Sequence, residues 1–162
     1  MRVKDALRQV IESFPKVLFV RENEARMQYR ERLNGVRFPK WIRDLRKTLA
    51  WVEDDEQKPL MWKAGTLGPP DTDWYTMNCG AGGDDHHFMI NEIEMLPVAQ
   101  GPYKDLLVDL RDPDNRALYV FDRQIDRETG TRPRKKLYSN AAAFFRGVRG
   151  LTDAAGNQLY SV

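Results

Sequence analysis

The period of the apolar residues changes once along this chain. Through the first 52 positions they recur at helical spacing; from Pro59 they sit in short β-forming runs broken by Pro, Gly and Asp. Helices first, an antiparallel meander next and a closing helix last predict an α+β domain.

The helical part divides into three. Val3, Ala6, Leu7, Val10, Ile11 and Phe14 form a single apolar stripe that Pro15 stops. Residues 17–20 follow as a short extended run. Ala25, Tyr29 and Leu33 repeat every four residues and mark a second helix over 22–33, with Glu22 placed four before Arg26 in the favourable order. Asn34-Gly35 ends it, because Gly adopts the left-handed conformation of a helix C-terminus without steric cost. Pro39 suits the first turn of a third helix, whose stripe is Trp41, Ile42, Leu45, Leu49 and Val52. Four successive acids at 53–56 oppose a helix C-terminus, so this helix should finish before them.

In the second part, strands are expected over 74–77, 88–93, 106–110 and 117–121. Asp112-Pro113-Asp114-Asn115 has the chemistry of a tight turn joining the last two. Residues 122–136 read as a longer exposed hairpin with Thr129-Gly130 at its tip, and Leu137-Tyr138 as a final short strand. Ser139 is expected to cap a helix over 140–148 with Ala141, Phe144, Phe145 and Val148 buried.

A chain of 162 residues, 41% of them apolar, suits one domain with a core that needs no disulfide. Cys79 is its only cysteine, no apolar run approaches the ~20 residues of a membrane span, and charges crowd the N-terminus. These features lead to the expectation of a cytoplasmic protein. The net charge of +2 conceals a division. Residues 1–52 carry a balance of +7, residues 53–110 of −9 and residues 111–162 of +4. The acidic middle third suits a basic protein partner rather than nucleic acid.

Candidate chemistry centres on Asp84, Asp85, His86 and His87, which follow four small residues, Gly80-Ala81-Gly82-Gly83. Imidazole and carboxylate are metal ligands, but adjacent residues on an extended chain face opposite ways, and the sequence has no third histidine. The glycines lack the Lys-Ser/Thr that a phosphate loop requires. Cys79 with either histidine would make a nucleophile and base only if the fold brought them together. Glu92, Glu94, Asp105 and Asp109 are explained by outward positions on strands as well as by paired catalytic carboxylates. The basic run from Arg132 to Lys136 stands without interleaved aromatics, beside acids, and reads as an exposed hairpin. No catalytic residue, metal or cofactor is assigned. Trp62, Trp74 and Tyr75, with Asp84, Asp85, His86 and His87, form the expected partner surface, since Trp and Tyr concentrate interface energy.

Arg32-Leu33-Asn34-Gly35-Val36-Arg37-Phe38-Pro39-Lys40-Trp41-Ile42-Arg43-Asp44-Leu45 resembles the opening of the SUKH superfamily: a helix, a Leu-Pro-like junction (Phe38-Pro39), then a helix with an aromatic in its first turn. Residues 95–99, 105–110, 117–122 and 139–145 resemble that family's second half. The resemblance covers 22–150 and leaves 1–21 as a helical extension of a single domain. It implies a bent antiparallel sheet flanked by helices and a binding role, with no catalytic residues to transfer. Bacterial members are associated with immunity against polymorphic toxins, and fungal members include a regulator of cell-wall assembly. The expectation is therefore a cytoplasmic immunity protein that neutralises a toxin by direct binding. The rival is a small hydrolase or metal-assisted enzyme built on Cys79 and the Asp84 to His87 run.

Overall fold

A computed structural model describes residues 2–64, 74–77, 88–101, 104–153, 155 and 157–161. Its helices and antiparallel strands make an α+β fold. The helical first part comprises α1 (Val3–Ser13), α2 (Glu24–Asn34) and α3 (Lys40–Thr48), with strand β1 (Leu18–Val20) between the first two. β2 (Trp51–Glu53), β3 (Pro59–Ala64) and β4 (Trp74–Met77) precede a π-helical turn at Phe88–Glu92. After β5 (Met95–Gln100), β6 (Lys104–Asp109) and β7 (Leu118–Asp122) come α4 (Ile125–Thr129), β8 (Lys136–Tyr138), α5 (Ala141–Arg146), β9 (Val148–Thr152) and β10 (Gln158–Ser161).

The strands run β1 to β8 in sequential order, and β9 joins β3 with β10 beyond it. Two strands change partner along their length. β3 pairs Leu60 with Val52 of β2, then Trp62 with Leu151 of β9. β4 pairs Tyr75 with Trp62 of β3, then Met77 with Ala99 of β5. The hairpin expected between β6 and β7 forms, and its turn closes with Asn115 N–H donating to the Asp112 carbonyl at 3.0 Å.

Four sequence expectations are corrected. Residues 88–92 are a π-helical turn rather than a strand, with Phe88, Met89 and Ile90 buried together; a short apolar run does not by itself distinguish the two. The 122–136 hairpin tip is the helix α4, closed by Gly130 at φ +63°. The closing helix is not the end of the fold. α5 stops at Arg146, and Val148 starts a strand that enters the sheet beside β3. Its cap is Asn140 rather than Ser139: the Asn140 Oδ1 accepts from the Ala143 N–H at 2.9 Å. Residues of α1 and its exit pack against the closing helix. Ala6, Leu7, Val10 and Phe14 of α1 and its exit join the same apolar cluster as Phe144 and Phe145 of α5.

The sheet is covered on both faces where β5 and β6 pair. Leu106 and Val108 face the main core, whereas Leu107, between them, meets Met89, Met95 and Phe121 in a second cluster. These three residues of β6 are fully buried, each stabilising the fold by roughly 1.5–3 kcal/mol. No helix among the described residues is long and apolar enough to cross a membrane.

Candidate functional site

Four of the middle-third acids, expected to form a partner surface, find their counter-charges inside the chain. Asp105 is 1% exposed and receives Arg123 Nη1 at 2.8 Å. Asp109 takes Arg132 Nη2 at 2.6 Å, and Glu94 pairs with Arg111. Glu56 pairs with Lys58 at 3.0 Å, and Asp54 accepts two backbone N–H groups in its own turn. The acidic middle and basic last third are thus partly a set of in-chain ion pairs between strands.

The basic run is divided by the same logic. Arg132 donates through Nε to the Ile93 carbonyl at 2.7 Å as well as to Asp109, and Pro133 is buried. Only Arg134, Lys135 and Lys136 of that run stay exposed. Arg132 thereby secures the bend at Glu94, whose φ of +53° is strained for a residue with a side chain.

Trp62 is a core residue, which corrects its place among the partner anchors. It is 1% exposed, meets Phe145 edge-to-face at 5.6 Å between ring centroids, and lies 6.4 Å from Phe19. An indole with six-membered rings on two sides has no surface left to offer. Trp74 and Tyr75 sit on β4, opposite Lys63 and Trp62 in register. Cys79, Asp84, Asp85, His86 and His87 lie outside the described residues. Among the described residues no three His, Cys, Asp or Glu side chains gather in a metal-binding group.

The surface with interface character lies on α2. Asn23 opens this helix, its Oδ1 accepting from Arg26 N–H at 2.9 Å. Gly35, at φ +65°, closes it with a double C-cap: Gly35 N–H donates to Arg32 and Val36 N–H to Glu31. The row Ala25, Tyr29 and Leu33 that marks the helix in the sequence is its exposed side. Tyr29 and Leu33 are 56% and 55% exposed, while Met27, about 200° round the helix, is completely buried.

Charge rather than an apolar stripe attaches α2 to α3. The carboxylate of Glu22, fully buried, pairs with Arg30 at 2.5 Å and with the buried Arg46. This corrects the expected Glu22–Arg26 pair; Arg26 instead lies over the Trp51 ring at 5.4 Å. Arg43 of α3 bridges Glu24 and Glu31 of α2, and Glu31 also accepts Phe38 N–H at 2.7 Å. A helix held at both ends by such pairs presents its outer face in a fixed orientation. Beside that face, on the side of α2 turned to α3, runs a shallow, open groove of about 540 Å³ walled by Gln28, Glu31, Arg32, Arg37 and Arg43. Arg32 and Arg37 are exposed and have no carboxylate partner among the described residues. An exposed Tyr and two uncommitted Arg at one helix end are of the residue types enriched at interface hot spots, and Leu33 adds apolar area beside them. The sequence argument missed this surface because the four-residue row that reveals the helix also reads as a packing face.

No protein-family model, no curated protein and no solved structure matches this chain.

Proposed function

We propose that this chain is a protein-binding domain that works without chemistry of its own, and that its contact surface is the outer face of α2. The observation that carries this reading is the exposed Tyr29–Leu33 row beside Arg32 and Arg37, on a helix whose other side is locked by buried ion pairs. The fitting partner is a protein with an acidic rim around an apolar spot: the arginines supply steering and register, and the Tyr and Leu supply area. The narrower form of the proposal is a cytoplasmic immunity protein that neutralises a polymorphic toxin domain by direct binding. Its support is the SUKH resemblance of residues 22–150 alone.

The test begins with crosslinking of the wild-type chain in its native cytoplasm and purification of the protein it captures. The double variant Tyr29→Ala/Leu33→Ala should bind that purified partner at least about tenfold more weakly, with an unchanged melting temperature. Equal affinity for wild type and variant would remove α2 as the contact surface. For the immunity form, the partner should be toxic to cells that lack this chain and harmless to cells that express it.

A further inference from the structure

A second concavity lies on the opposite side of α3 from α2, and nothing in the protein-binding reading uses it. The cleft has a volume of about 540 Å³ and is walled by the start of α1, one side of α3, Arg116 and the start of α5. Its apolar floor is made by Val3, Leu7, Leu45, Ala141 and the ring of Trp41. Arg2, Lys4 and Arg116 stand around it, all exposed, and none has an ion-pair partner among the described residues. Asp44 is the one carboxylate of the lining among the described residues. It is held by Lys40 Nζ at 2.8 Å, which lowers its pKa and commits its charge.

The wall combines an aromatic ring with free backbone N–H groups. Trp41 is 8% exposed, and its indole Nε1–H is buried without an acceptor among the described residues. The N-terminus of α1 is also uncapped: Arg2 makes no side-chain bond to the first turn, so the Val3 and Lys4 N–H groups point along the positive end of an eleven-residue helix. An apolar floor, convergent donors and three cations against one committed carboxylate together define a ligand class.

We propose that this cleft binds a small organic acid, an anionic carboxylate carrying an apolar body, with the carboxylate between Arg116, Lys4 and the start of α1 and the apolar body against Trp41 and Leu45.

Phenylbutyrate is a suitable probe, with its neutral counterpart phenylbutanol and inorganic phosphate as comparisons. Titration of the full chain, followed by calorimetry and by the indole N–H signals of its four tryptophans, should show saturable binding that shifts the signal Trp41→Phe removes. The alcohol should bind at least about tenfold more weakly, because it lacks the charge-assisted bonds. Arg116→Ala, at an exposed position, should weaken phenylbutyrate by about tenfold while leaving the melting temperature unchanged. If Trp41→Phe does not fold, the Arg116→Ala and alcohol comparisons carry the test alone. Absence of saturable binding, or equal affinity for the alcohol, would overturn the site. Phosphate binding as tightly as phenylbutyrate would overturn the assignment to an acid with an apolar body.

Discussion

Glu22 and Arg46 are joined twice, once through their side chains and once through the backbone. The Glu22 carboxylate takes Arg46 Nε in a buried ion pair, and the Glu22 N–H donates to the Arg46 carbonyl at 3.0 Å. The backbone bond occupies a carbonyl in the last turn of α3, one of the acceptors that a helix C-terminus leaves without an internal partner. The side-chain bond fixes the stretch leaving β1 against α3, and Ala50 N–H extends that seam by donating to Val20 at 2.7 Å. Arg30 completes the cluster from α2. Three elements therefore meet on one carboxylate.

Removing that carboxylate should be costly. Glu22→Ala leaves Arg46, with a side chain 3% exposed, as a buried charge whose Nη2 already has no partner among the described residues. A loss of about 3–5 kcal/mol is expected in urea unfolding. The double variant Glu22→Leu/Arg46→Met should recover most of it, since an apolar pair of similar volume needs no desolvation of charge. A single-variant loss below about 1 kcal/mol would show that the ion pair does not hold the seam.

Trp62 supplies a second expectation. Trp62→Ala should cost about 3–5 kcal/mol, the range for emptying a buried aromatic site, because the ring is enclosed by Phe145 and Phe19. Trp62→Phe keeps a ring against Phe145 and should cost less than Trp62→Ala. Partner affinity of the folded Trp62→Phe variant should equal that of the wild type. A selective loss of affinity without a loss of stability would return Trp62 to the contact surface.

The Lys40–Asp44 pair makes acid sensitivity readable. The Asp44 carboxyl is held below its ordinary value of 3.8, first by the hydrogen bond from Lys40 and further by the charges of Lys40, Lys47 and Arg116, against an opposing effect of burial. A depressed carboxylate contributes stability above the unfolded-state value, and that contribution disappears as pH falls through the folded-state value. Asp44 is more than half exposed, so solvent screens the pair and the effect is a few tenths of a kcal/mol. Asp44→Asn should therefore lower the melting temperature slightly at neutral pH and match the wild type in strong acid. A difference that grew as pH fell would contradict this assignment.

Local chemistry made several elements legible before any contact was known. The stripe from Val3 to Phe14 forms α1 with Ala6, Leu7 and Val10 inward. Gly35 takes the left-handed conformation expected of it, and the Asp112 to Asn115 turn joins β6 to β7. Each of these depends on residues within one or two turns of each other. The strands that went unseen have no such signature. β2 is three residues, Trp51–Glu53, reading as the tail of the preceding helical stripe, and β9 begins at Val148, inside the apolar pattern of α5. β9 becomes a strand by pairing with β3, far away in sequence, and β2 by pairing with β1 on one side and with β3, just beyond it in the chain, on the other.

The α2 surface was half legible. Its row Ala25, Tyr29 and Leu33 was visible as a period, but a period specifies which residues share a face, not which way that face turns. Burial of Met27 and the Glu22–Arg30–Arg46 cluster decided that question.

By itself, then, the sequence determined the α+β class, the helical character of the first part and the major turns, because helix period, caps and turn residues act over a few positions. Tertiary structure decided which side of α2 faces outward, that Trp62 is core, and that three of the middle acids, Glu94, Asp105 and Asp109, meet Arg111, Arg123 and Arg132. Those outcomes depend on pairing across tens of residues. Burial and Coulomb attraction act through space, where sequence blocks of one charge need not remain one surface.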